Sequence, residues 1–218
     1  LDWGENSMSQ AKEAHPKVRK WKRMRAVDRR RQILEAAQHV FAEQNYDTAT
    51  MAKIATAAGI TEPTIYMHFR SKKDLFIAVL EESYAYIMEI IKQLWGKQGD
   101  LYTRYRSAIK ELYNLIDDET HTGIAKLWII AATVNDPEIA SYVVRFDKDL
   151  LAFVSKDMKK AVQTEKITLK YNPEVFARIF ISLIINSTTL ILTGSKISKR
   201  ELDGVLDLLL DSILQRSE

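Results

Sequence analysis

Few side chains in this sequence could make or break a covalent bond. It contains no Cys, which removes thiol catalysis, disulfides and zinc–thiolate sites together. Its four His are scattered, and no HExxH-like pair offers a metal two ligands on one helix face. No acid–base pair or activated nucleophile stands at a recognisable spacing, so an all-α enzyme is a poor reading and no cofactor is implied. What remains is a run of hydroxyls with two carboxylates, one imidazole and several cations from Thr50 to Leu75, TMAKIATAAGITEPTIYMHFRSKKDL. The chemistry open to such groups is recognition through hydrogen bonds and charge.

The elements that must hold them can be read from the same run. Thr50 is an N-cap, and Ile54, Ala55 and Ala58 follow at helical spacing. Gly59 closes that helix in the left-handed conformation that costs glycine least. Thr61 caps a second, short helix with Pro63 in its first turn, where the backbone N–H is orphaned anyway. Ile65 and Phe69, four apart, face inward, whereas Glu62, Pro63, Thr64, Met67 and His68 lie mostly off that stripe. Ser71-x-x-Asp74 opens a third helix as a variant of the capping box. Two short helices joined at a glycine, the second with a small polar outer face, form the helix-turn-helix pattern that places one helix in the DNA major groove.

Residues 31–80 resemble the N-terminal domain of the TetR family of bacterial and archaeal transcriptional regulators. The resemblance rests on the lead-in ILEAAQHVFAEQNYDTAT, the turn IATAAGIT, then IYMHF and SKKDLF. It fades beyond about Leu94, as expected if the second domain varies with its ligand. One departure falls at Asn45, where the family pattern usually has Gly; Asn is the next best residue for a left-handed cap.

The resemblance implies a role for each position. Thr50 and Thr61, at helix N-termini, favour phosphate. Tyr66 and His68 reach phosphates, and Lys72 holds another. Glu62, Pro63, Thr64 and Met67 meet base edges. Glu62 stands where Lys, Arg, Ser or Gln is commoner; a carboxylate only accepts, so cytosine N4 is its natural partner. Met51 is expected at the exposed start of the first motif helix, offered to a thymine methyl. A dimer reading one half-site per subunit implies a near-palindromic operator.

Charge agrees with a DNA partner. The net charge is +3, but residues 8–80 hold 14 Lys and Arg against 7 Asp and Glu, whereas residues 81–218 hold 18 against 20. The positive excess belongs to the helix-turn-helix end, the footprint expected opposite a phosphate backbone. Residues 1–24 read as a basic flexible tail, able to lie along DNA with arginines in the minor groove. Residues 1–7 read as a remnant foreign to the native chain, with Met8 as candidate start. No secretory signal and no uncharged apolar run of about 20 residues is visible, so a cytoplasmic protein that does not enter membranes is expected.

Only seven Gly and four Pro leave little room for β-turns, and the expectation is an all-α fold. Residues 25–72 form a three-helix DNA-binding domain, and residues 73–218 a helical ligand-binding and dimerisation domain, joined by a long helix from Ser71 to about Trp95. Helices follow over 101–116 and 122–134. Asp136 and Pro137 start another, which either breaks near residues 145–147 or runs on to about Glu165. Asn172-Pro173 starts a helix that is apolar almost all round and ends at Gly194, and Ser198-x-x-Glu201 boxes the last helix. The family resemblance implies that these two helices pair with a second subunit in a four-helix bundle. Tyr102, Tyr105, Trp128, Phe146, Phe153, Phe180 and Asn186 are the candidates to line a cavity for a small hydrophobic or amphipathic effector. The expected function is a dimeric, ligand-released repressor. The alternative is a basic helical protein that binds DNA or a membrane surface without reading sequence and without an effector.

Overall fold

In a computed structural model, residues 26–96, 99–116, 119–165, 167–195 and 198–215 are described. The basic tail expected over residues 1–24 lies outside them. The described residues form nine helices: α1 (Ala26–Thr48), α2 (Met51–Ala57), α3 (Glu62–Tyr66), α4 (Lys72–Trp95), α5 (Leu101–Ile116), α6 (Glu119–Thr133), α7 (Pro137–Thr164), α8 (Pro173–Leu192) and α9 (Lys199–Ile213). The all-α expectation holds, with one small addition. Thr168 and Leu169 pair antiparallel with Gln215 and Leu214, tying the end of α9 to the α7–α8 connection.

Local chemistry sets the helix ends. Asp136 Oδ1 accepts from the backbone N–H of Glu138 and Ile139 at 2.9 and 3.2 Å, and α7 then runs unbroken to Thr164, the longer of the two expected courses. These backbone donors hold the Asp136 carboxyl below its usual range. Ser198 and Glu201 exchange both bonds of a capping box: Glu201 Oε2 accepts from Ser198 N–H at 2.8 Å, and Ser198 Oγ from Glu201 N–H at 3.2 Å. Gly194 ends α8 at φ +85°. Asn45 differs from expectation. It sits at φ 64°, ψ 165°, outside the left-handed helical well and in a region that only glycine occupies freely. There it kinks α1 before its last turn.

Two buried clusters organise the packing. The first joins Ile33, Phe41, Ile54, Ile65, Phe69 and Phe76 to Leu127, Ile130 and Ala131 of α6 and Ile139 of α7. Packing therefore does not stop where the helix-turn-helix ends in sequence. Gly123 brings α6 close to α1: a Cβ built there would stand 3.9 Å from that of Ala42. The second cluster joins the far half of α4 to α5, α7, α8 and α9 around Trp95, Tyr105, Phe176 and Phe180. Helix α4 contributes to both, from Leu75–Leu80 at one end and Ile91–Trp95 at the other.

Candidate nucleic-acid interface

Helices α2 and α3 are held by short-range bonds that leave one face bare. Thr50 Oγ1 accepts from Lys53 N–H at 3.2 Å, capping α2. At its other end Gly59 takes φ +63°; its N–H donates to Thr56 O, and that of Ile60 to Ala55 O, both at 3.0 Å. This is the paired closure that a left-handed residue allows. From α1, Gln32 Nε2 donates to Ala58 O at 2.7 Å and fixes the turn to the helix behind it. Thr61 caps α3 by backbone conformation alone, because its hydroxyl is shared with Thr64 Oγ1 at 2.8 Å.

Ile65 and Phe69 are buried beneath α3, as their spacing requires. On the outer side Pro63 is exposed, Glu62, Thr64 and His68 are half-buried, Tyr66 is 49% exposed and Met67 84%. Ser71 Oγ then accepts from Asp74 N–H at 3.0 Å, and Asp74 Oδ2 accepts from Arg70 N–H at 3.0 Å. The return bond thus lands one residue before the cap, which accounts for the non-standard box.

Two expected contacts need correction. Met51 is 6% exposed and belongs to the first core cluster, so its side chain faces Ile54 and Phe69's cluster rather than solvent. Lys72 turns back across the fold. Its ammonium donates to the carbonyls of Tyr46 (2.7 Å), Ala49 (3.1 Å) and Asp47 (3.3 Å) and sits 4.5 Å over the Tyr46 ring. All three of its donors are used in capping the end of α1.

The other cations are unequally engaged. Lys53 donates to Gln44 Oε1 and Thr48 O, and Lys73 pairs with Glu138 at 2.7 Å and Asp136 at 3.4 Å. Arg30 lies 4.3 Å over the Phe69 ring. Arg70, exposed just beyond α3, has no side-chain partner among the described residues. Sequence reasoning passed over it; its place after Phe69, the last inward residue of the motif, was the available signal.

The seven effector candidates fall into separate places. Tyr105 and Phe180 are fully buried 4.8 Å apart, and Phe153 meets the same cluster through Trp95 at 6.2 Å. Burial pushes the Tyr105 phenol well up. Trp128 stacks on Phe146 at 4.4 Å in another layer. Tyr102 donates to Asp207 Oδ1 at 2.6 Å, joining α5 to α9. Asn186 is exposed on α8.

None of the seven lines the described cavity of about 200 Å³ at the far end of α4. That cavity is walled by Trp95, Arg104, Asp157, Lys160 and Glu165 among others. Arg104 bonds there to Glu165 at 2.7 Å and reaches Asp157 at 3.4 Å. Trp95 belongs to both the cavity wall and the aromatic cluster, and its buried indole N–H has no partner among the described residues.

Residues 33–79 match the family model described as "Bacterial regulatory proteins, tetR family". Residues 33–79 are therefore a TetR-family DNA-binding domain. TetR-family likeness extends past the matched domain. The transcriptional activator FasR of Mycolicibacterium smegmatis is 30% identical over 57% of this chain, and the match spans 56% of that relative, little more than half its length. The transcriptional repressor Rv1474c of Mycobacterium tuberculosis is 26% identical over 85% of this chain and 92% of its own. In three dimensions a TetR-family protein from Mesorhizobium loti superposes with a TM-score of 0.71 at 21% identity, over 88% of this chain and 100% of that one. FadR of Bacillus subtilis, solved with stearoyl-CoA, gives 0.67 at 21% identity over 83% and 95%. A TetR-family regulator is a DNA-binding, helix-turn-helix transcription factor that responds to a ligand.

The same architecture bears on α8. Pro173–Leu192 is 20 residues long with a mean hydropathy of 1.9 over its most apolar window, of which 28% is buried. By length and composition alone this helix is long and apolar enough to cross a membrane. It nevertheless carries Glu174 and Arg178, paired with Lys159 and Asp147 of α7.

Proposed function

We propose that the chain is a dimeric repressor that binds a near-palindromic operator and leaves it when an acyl-type amphiphile binds. The observation that carries this reading is the bare outer face of α3, where Glu62, Pro63, Tyr66 and Met67 stand on a scaffold whose own bonds are otherwise satisfied. In this reading that face enters the major groove. Thr50, Thr61, Tyr66 and His68 take phosphates beside it, joined by Arg70.

Dimerisation through α8 and α9 is supported by apolar side chains that one chain leaves open. Val175, Ile179 and Ile185 on α8 and Val205 and Leu208 on α9 are 45–72% exposed, an unusual concentration for a surface that meets only water. A second copy covering that stripe also explains how a helix as greasy as α8 serves a protein of the cytoplasm.

The effector class is supported by the relatives. A fatty acid metabolism regulator of Bacillus subtilis is 27% identical over 93 residues, and AibR was solved with isovaleryl coenzyme A and operator DNA. In this chain the polar cavity beside Arg104 and Lys160 would take the polar end of such a molecule. Its chain would part the aromatic cluster behind Trp95.

Selection of bound duplexes from a random library, followed by fluorescence anisotropy with and without stearoyl-CoA, tests the reading. An enriched inverted repeat released by the acyl compound is expected. Binding that random DNA competes away completely would instead support a non-specific basic protein.

A further inference from the structure

The base-reading surface of this chain is short of positive charge. Helix α3, Glu62–Tyr66, and its cap Met67 contain no Lys or Arg. The commonest specific contact to DNA, a cation bidentate on guanine O6 and N7, is therefore not available from the helix itself. The neighbouring lysines are engaged: Lys53 with Gln44 and Thr48, Lys72 with three carbonyls, Lys73 with Asp136 and Glu138. The hydroxyl of Thr64 is already shared with that of Thr61. Two uncommitted groups remain on the helix face besides Pro63 and Tyr66. Glu62 presents a carboxylate with no hydrogen-bond or ion-pair partner among the described residues. Met67 presents a thioether chain 84% exposed, the most exposed large apolar residue described.

Resting on the proposal that this face enters the groove, we infer that the chain reads pyrimidines, Glu62 accepting from the N4 amino group of a cytosine and Met67 packing on the C5-methyl of a thymine in each half-site. An acceptor-only group finds a donor without a competing acceptor on cytosine, the one base that shows the major groove an amino group alone. An exposed, flexible apolar side chain gains most from the one apolar group on that edge, the thymine methyl. The methyl reader is thus Met67 at the outer end of α3, in place of the buried Met51. Phosphate attraction comes from outside the helix, where Arg70 stands without a side-chain partner.

The experiment uses the full chain and the operator that random selection enriches. Each thymine is replaced in turn by deoxyuridine, which removes only the methyl. One thymine per half-site should then cost wild type about fourfold in affinity, the value of one buried methyl, and cost Met67→Ala nothing. Reselection with Glu62→Gln should change one cytosine per half-site to adenine, because an amide can bond adenine N6 and N7 together. Both side chains lie outside the core, so circular dichroism should show the variants folded as wild type. A deoxyuridine scan that is flat in wild type, or an unchanged site for Glu62→Gln, overturns the inference. So does a loss on 7-deazaguanine substitution that disappears in Arg70→Ala, since guanine would then be what is read. These failures leave a sequence-specific regulator standing, whereas selection that enriches no site removes the regulator reading as well.

Discussion

Asn45 holds a backbone conformation in which an L side chain is strained by about 1–3 kcal/mol. Replacing it by glycine relieves that strain and adds about 0.5–1 kcal/mol of chain entropy to the unfolded state. The expected net result is a protein more stable by ~1 kcal/mol with unchanged operator affinity, read by urea denaturation and anisotropy. A destabilised Asn45→Gly would mean that the side chain itself holds the kink. Lys72 calls for a different outcome. Its ammonium closes the end of α1 rather than waiting for a phosphate, so Lys72→Ala should lower stability by ~1 kcal/mol in the absence of DNA. Unchanged stability with weakened DNA binding would restore the phosphate role. The lysine could not have been placed from spacing alone, because its partners lie up to 26 residues back in the chain.

Helix ends were the most legible part of the chain. Asp136-Pro137, Asn172-Pro173, Ser198-x-x-Glu201, Gly59 and Gly194 all act where they were expected, because a cap bonds to backbone only two or three residues away. Which neighbour a helix face meets was not legible in the same way. Tyr105, Trp128 and Phe180 were grouped as candidates for one cavity, yet packing between helices separates Trp128 from the other two. The outer side of Met51 failed for the same reason: a seven-residue helix wedged between α1 and α3 buries more than one stripe. Two tests belong at this scale. Gly59→Ala meets no atom within 4 Å, so its cost is conformational alone, about 1–2 kcal/mol, visible in thermal melting. Leu208→Glu, on the open apolar stripe of α9, should leave the monomer folded but shift light scattering from dimer to monomer and weaken operator binding. A variant that stays dimeric would place the subunit interface elsewhere.

For the whole molecule the charge asymmetry sets the conditions of DNA binding. Six to ten neutralised phosphates imply a fall in affinity of ~10³–10⁵ between 50 and 200 mM salt. A flat response in anisotropy would contradict an interface driven by the basic end of the chain. An effector that weakens operator binding ~5–150-fold must itself be weakened by the operator to the same degree, which calorimetry with and without DNA can verify. The close seating of α6 against α1 bears on protein engineering. Transplanting only the matched reading head of this chain onto another regulator's sensor would leave Ile33, Phe41 and Phe76 facing a surface that never co-evolved with them, while Leu127, Ile130 and Ile139 stayed behind in the donor. A hybrid that takes α6 and the first turns of α7 together with the head keeps that seam intact, and should be the one that both folds and still answers to its ligand.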